Sequence, residues 1–261
     1  VAIVTGGTSG IGRATALALQ ERGYTVYELS RRAEGMPDIR HIVADITKEE
    51  TLQAAVEQVL AVEGRLDLVV NNAGFGISGA IEFTDTQEAQ RLFDTLFFGM
   101  VRMNRCVIPL MRQQGHGRIV NISSVAAPVP IPFQAYYSAG KAAINAYTMA
   151  LANELRPFGV TVCAVMPGDI KTGFTAARHK IIDGDDIYQG RIGRSVQRME
   201  HDEQTGMDPA KVGRYIAAVA SREGSHHPLY ATRIDYKFFV FLTKVLPARF
   251  LNWLIYQLYG K

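Results

Sequence analysis

Val1-Ala2-Ile3-Val4-Thr5-Gly6-Gly7-Thr8-Ser9-Gly10-Ile11-Gly12 joins an unbroken apolar run to a glycine-rich turn. A short run without polar alternation suits a strand covered on both faces, as in a parallel sheet. Behind the turn, Arg13 to Arg22 carries a helical pattern rich in Ala and Leu. Strand, glycine turn and helix in that order predict a dinucleotide-binding unit. The glycines let the backbone turn tightly and approach a pyrophosphate, and the helix N-terminus offers free N–H groups with a partial positive charge. The spacing is G-x-x-x-G-x-G rather than the commoner G-x-G-x-x-G. A surface turn that happens to be rich in glycine is the competing reading, and the flanking strand and helix weigh against it.

Further strands are predicted at Thr25–Leu29, Ile39–Val43, Leu66–Asn71, Arg118–Ser123 and Thr161–Met166, with a last one within Pro228–Tyr236. Helical patterns lie between them at Lys48–Val62, Thr84–Gln113 and Gln134–Arg156, and Asp208-Pro209 supplies a capping acid and a first-turn proline for another. This alternation predicts an α/β chain, a single-domain Rossmann fold over residues 1–261. Its core is a doubly wound parallel sheet of about seven strands with helices on both faces, plus a helical C-terminal tail. Residues 170–207, charged and spaced by glycines, read as an irregular, mobile flap over the carboxyl edge of the sheet.

The 261 residues are 48% hydrophobic and 20% charged, enough apolar material for a sizeable core. A net charge of +3 is too small to argue for a nucleic-acid partner. Cys106 and Cys163 stand alone among apolar neighbours, with neither a disulfide framework nor a zinc spacing, so no metal is expected. They fit a reducing compartment, and the expectation is a cytoplasmic protein. The tail, residues 237–261, carries Phe238, Phe239, Phe241, Phe250, Trp253, Tyr256 and Tyr259 with basic but no acidic residues, and Pro247 splits it into two short helices. It can pack as core or subunit interface, cover a substrate pocket, or lie on a membrane surface as a peripheral contact.

Candidate chemistry gathers at the predicted strand ends. After the second strand come Ser30, Arg31 and Arg32, where an acid would hold the ribose 2′-hydroxyl of NAD. Guanidiniums suit a 2′-phosphate, so this position predicts NADP(H); two arginines simply facing water is the alternative. Glu28, the nearest acid, lies two residues early, inside the strand. Asp45-Ile46 ends the third strand, Asn71-Asn72-Ala73-Gly74 the fourth and Pro167-Gly168 the sixth. The fifth delivers Ser124, and Pro128, Pro130 and Pro132 keep the chain out of helix until the next helix brings Tyr137 and Lys141, four residues apart, onto one face. An ammonium beside a phenol favours the phenolate and lowers its pKa. A tyrosine so tuned can exchange a proton with a substrate oxygen.

Thr5-Gly6 with Gly10-Ile11-Gly12, Asn71-Asn72-Ala73-Gly74, Ser124, Tyr137-Ser138-Ala139-Gly140-Lys141 and Pro167-Gly168 resemble the motifs of the short-chain dehydrogenase/reductase family, in order and spacing from Val1 to about Thr172. The resemblance implies NAD(P)-dependent interconversion of a carbonyl and an alcohol, commonly in dimers or tetramers. It makes Tyr137 the general acid/base and Lys141 the residue that tunes it and holds the nicotinamide ribose. It makes Ser124 the group that hydrogen-bonds the substrate oxygen. Ser123 falls one residue out of register, and Tyr136 has no lysine four residues on. The cofactor would meet Gly6, Thr8, Ser9, Gly10, Ile11 and Gly12, and beyond them Ser30, Arg31, Arg32, Asp45 and Ile46. Asn72, Ala73, Gly74, Pro167, Gly168 and Ile170 would follow, with Thr172 holding the carboxamide.

One position departs from the pattern. The family's further catalytic asparagine, in a D-x-N-x-x-G segment, is credited with opening the helix to seat a water linked to the lysine. Here Asp94-Thr95-Leu96-Phe97-Phe98-Gly99 puts Leu96 in its place, and Asn104 lies about two turns away. A milder departure is Gly140, where serine or threonine is usual. Two readings follow: a working triad with another proton path, or a cofactor-binding protein with impaired catalysis. The segment D-x-x-x-x-G-x-V-R-M also resembles the hydroxysteroid and retinol dehydrogenase branch, which implies a bulky apolar ketone or alcohol as substrate.

Overall fold

The opening apolar run forms β1 (Ala2–Thr5), every residue of it buried, and the glycine turn feeds α1 (Gly10–Gln20) in the computed structural model, which describes residues 1–222, 224 and 227–261. Then follow β2 (Val26–Ser30), β3 (Arg40–Val43), α2 (Glu49–Glu63), β4 (Leu68–Asn71) and a two-residue β5 (Ile77–Ser78). Next come α3 (Thr86–Phe93), α4 (Gly99–Gln114), β6 (Gly117–Ile122), α5 (Ala135–Leu155) and β7 (Val160–Met166). The last third holds α6 (Phe174–Ala177), β8 (His179–Lys180), α7 (Arg191–Gln204), α8 (Pro209–Ala220), β9 (Leu229–Ala231), α9 (Ile234–Val245) and α10 (Ala248–Ile255).

Seven strands make one sheet in the order β3-β2-β1-β4-β6-β7-β9, and all its neighbours pair in parallel. Side chains alternate along each strand, so each feeds two cores. Ala2 and Val4 of β1 join Leu19, Val212 and Ile216 on the face covered by α1 and α8. Ile3 points the other way, to Leu52, Val59, Met103, Met111 and Leu151 under α2, α4 and α5. Burying one such side chain is worth about 1.5–3 kcal/mol, which fixes the register of a strand this short. Strand order reverses between β1 and β4, and that switch point opens a crevice at their carboxyl ends.

Two expectations need correction. Residues 170–207 are not an irregular flap, because α7 runs for 14 residues within them. Ile192, Val196 and Met199 recur on one helical face and bury against Ala80, with Phe83 and Phe133 beside them. The charges on its outer face masked that stripe. The final strand ends at Ala231, so Ile234 to Tyr236 are helical rather than extended. Within the long helical stretch after β4, Asp94–Phe98 forms a single π turn joining α3 to α4.

Candidate active site

Three elements converge on the crevice. Ser124 follows β6, and the proline-interrupted segment leads to α5, whose first two turns hold Tyr137 and Lys141. The Lys141 ammonium donates to the Ile122 carbonyl at the end of β6, 2.7 Å away, so one strand end holds both the serine and the lysine. Ser124 Oγ accepts from the Ala126 amide at 3.1 Å and lies near enough to the Tyr137 hydroxyl to act on its ionisation. Lys141 Nζ lies 5.5 Å from the centre of the Tyr137 ring. The Ser123 hydroxyl points elsewhere, donating to the Lys141 carbonyl at 3.1 Å.

The electrostatics differ from the expectation of a lowered phenol pKa. Burial pushes the Tyr137 hydroxyl up to about 12, and Ser124 and the charge of Arg178 only partly oppose it. Burial likewise pulls the Lys141 ammonium down to about 7. Desolvation disfavours the charged form of each group, and it is the largest cause of both shifts. The protein alone therefore holds Tyr137 as a neutral phenol.

The glycine turn has the shape of a phosphate cradle. A Cβ on Gly12 would sit 2.3 Å from the Gly6 carbonyl oxygen and 2.4 Å from Asn72 Nδ2, so no side chain fits there. Gly6 and Gly10 take left-handed φ values of 65° and 54°. Ser9 is extended and its side chain caps nothing, and the first turn of α1 has no acid, so its amides remain open to an anion. Asn72 Nδ2 donates to the carbonyls of Thr5 and Gly6, and the Ala73 amide to Thr5 Oγ1, joining the ends of β1 and β4. Thr172 stands over the turn, its Cβ 3.6 Å from where a Gly10 side chain would begin. Thr8 and Ile11 belong to the same turn, and Ile11 packs on the core beneath it.

Beyond the turn, Ser30 ends β2, and Arg31 and Arg32 are exposed. Arg31 is close enough to help hold the Asp45 carboxyl below its usual range, although Asp45 burial opposes it and bonds from Thr47 do more. Glu28 is fully buried, paired with His41, and lies under Gly7. Ile46 packs on Gly99 at the start of α4. Val125 donates to the Pro167 carbonyl at 2.9 Å, which brings the turn after β7 alongside Ser124. Ile170 is buried and bridges to Met207.

Leu96 sits in the π turn, 2% exposed. Its Cδ2 fills the space where a Gly74 side chain would be, at 2.4 Å, and its Cδ1 lies 3.5 Å from a Cβ placed on Gly140. The two departures from the family pattern thus face each other. The gap bounded by Leu96, Asn71, Met100, Ile122 and Ile144 has no room for a water molecule. Asn104 is fully buried and accepts from Asn71 at 2.8 Å, away from Lys141.

Sequence reading missed Arg178 and Glu203. The Arg178 side chain has no exposed surface, pairs with Glu203 through Nη2, and leaves Nε and Nη1 unpartnered. Its guanidinium carbon lies 5.7 Å from the Phe174 ring, which packs 5.8 Å from the ring of Tyr137. A pairing across 25 residues leaves no short-range signal. Tyr236 was missed too. Its ring packs on Gly168, where a Cβ would lie 2.0 Å from Cζ, and its hydroxyl accepts from the Asp169 amide at 3.0 Å. A separate cavity of about 460 Å³ lies between α10 and the start of α5, and its lining includes none of Ser124, Tyr137 and Lys141.

The chain is similar to known proteins over most of its length. A family model described as short chain dehydrogenase matches residues 1–181. The chain is 38% identical over 257 residues to a 3-ketodihydrosphingosine reductase of Bacteroides thetaiotaomicron, covering 97% of this chain and 93% of that protein. Among solved structures, a short-chain dehydrogenase from Streptomyces avermitilis superposes with a TM-score of 0.83 at 33% identity, over 92% of this chain and 90% of that one. ElxO with NADP bound superposes with a TM-score of 0.75 at 25% identity, over 91% and 98%.

Proposed function

This chain belongs to the short-chain dehydrogenase family of oxidoreductases, and we propose that it is an NADP(H)-dependent reductase of a ketone on a bulky, lipid-like substrate. The observation that carries this reading is the meeting of Ser124 and Tyr137, with Lys141 buried beside them, on the same sheet edge as the glycine cradle. The residues fit the cofactor: Gly6 to Gly12 and the N-terminus of α1 would hold its pyrophosphate, Arg31 and Arg32 a 2′-phosphate. Asp45 and Ile46 would lie at the adenine, and Asn72, Ala73, Gly74, Pro167, Gly168, Ile170 and Thr172 along the nicotinamide half. When bound, the cofactor supplies or accepts the hydride. Ser124 Oγ holds the substrate oxygen, and the neutral Tyr137 phenol gives that oxygen its proton during reduction. Lys141 supports the tyrosinate left behind, since a charge on one member of the pair favours the opposite charge on the other.

The substrate class rests on the apolar surroundings of Tyr137, which include Phe75, Tyr136, Phe174 and Ile181, and on the long-chain ketone in the name of the Bacteroides relative. We also propose a homodimer or homotetramer. An exposed row on α5, Ala139, Ala142, Ala146 and Met149, supports it as a face that a second copy can cover. A cofactor-binding protein with weak turnover is the second reading, favoured by the dry gap at Leu96. A spectrophotometric assay of a long-chain 3-ketone with NADPH and NADH separates them. The proposal expects consumption of NADPH in preference to NADH, and no consumption of either under saturating ketone would favour the second reading.

A further inference from the structure

The C-terminal helices present an apolar face that nothing in the fold covers. Ile234, Phe238, Phe241 and Val245 of α9 are 83%, 59%, 56% and 56% exposed. They recur at helical spacing and form one stripe. Lys237 and Lys244 flank it on one side, and α9 buries none of its residues. Phe250 and Trp253 of α10, stacked 5.8 Å apart, add a second apolar patch beside the exposed Arg249. From residue 234 onward the acid among these helices is Asp235, already paired with Arg233.

The tail is nevertheless tied down at both ends. Tyr236, on the opposite side of α9, is held at Gly168 and Asp169, as described above. At the far end Tyr259 donates to Asp202 at 3.0 Å, and Arg191 donates to the Gly260 carbonyl at 2.6 Å. The bare stripe is thus a fixed surface feature. Among the described residues no helix is long and apolar enough to cross a membrane.

We propose that the outer face of α9 and α10 docks on the surface of an anionic phospholipid bilayer, its aromatic and aliphatic residues entering the interface and Lys237, Lys244 and Arg249 meeting lipid phosphates. The charge decides the occupant: a second copy would set these cations against each other, whereas an anionic headgroup layer neutralises them. Tyr236 places this face directly behind the turn that flanks the active site, so a lipid substrate would reach the crevice from the bilayer plane. The docking itself does not depend on the reductase reading, because it is measured without ketone or cofactor.

Co-sedimentation of the full chain with vesicles tests it. The chain pellets with phosphatidylcholine vesicles containing phosphatidylglycerol, less with phosphatidylcholine alone, and less again at high salt. Lys237→Gln with Lys244→Gln weakens binding roughly 30-fold, from the per-lysine attraction of an anionic surface. Phe238→Ser with Phe241→Ser abolishes it, while circular dichroism and cooperative thermal unfolding confirm that each variant is folded. Equal pelleting of wild type and both variants overturns the proposal. So does a wild-type chain that ignores vesicles but loses self-association, by light scattering, in the phenylalanine variant.

Discussion

Lys141 shows how burial and charge compete at a single residue. Its ammonium titrates near 7 in the folded protein and near 10.5 when unperturbed, so between those values the unfolded chain holds more protons. Stability contributed through this group therefore rises with pH across that window and is flat below it. Unfolding by urea at pH 7 and pH 9.5 checks the sign: wild type gains on Lys141→Met at the higher pH. Leu96 makes a second prediction. Leu96→Asn puts an amide into a gap too small for water, against Gly74, and destabilises the fold by about 1–3 kcal/mol. It does so without raising kcat by orders of magnitude; a rise of that size would show that the native site is crippled. Arg178 gives a third. Two of its nitrogens are buried without partners beside Phe174, and Arg178→Met removes them while keeping most of the volume. A larger effect on KM for ketones bearing a second oxygen than for plain ketones is expected from steady-state kinetics.

At the scale of elements, the parallel strands and the helix carrying Tyr137 were legible, because an apolar run and a four-residue spacing are local facts. What was hidden depends on contacts far along the chain. The helical stripe of α7 was read as irregular because its charged outer face and flanking glycines dominate the local pattern, while its buried side meets Ala80 about 110 residues earlier. Ile192→Ala, at a fully buried position of that helix, costs about 2–5 kcal/mol by denaturant titration if α7 is packed as described. An irregular flap would lose little. The π turn at Leu96 had no sequence signal of its own, since Leu96, Phe97 and Phe98 read as ordinary apolar residues of a helix.

Across the whole molecule, a few contacts tie the crevice, the segment after β7 and the tail together. Thr172 leans over the glycine turn, Tyr236 pins α9 to the turn after β7, and Tyr259 pins the tail to α7. The motifs at the strand ends pointed to one sheet edge, where the structure brings Ser124, Tyr137 and Lys141 together. They gave no sign of these cross-links; the two made by hydrogen bonds span 67 and 57 positions, and the contact of Thr172 on the glycine turn spans more. The central claim is that Tyr137, held neutral by burial, is the proton donor to a bound ketone. Tyr137→Phe, assayed for NADPH binding by fluorescence and for ketone reduction by absorbance in the same preparation, tests it most directly. The account predicts unchanged NADPH affinity with turnover lost by several orders of magnitude; reduction at a rate near that of wild type would contradict it.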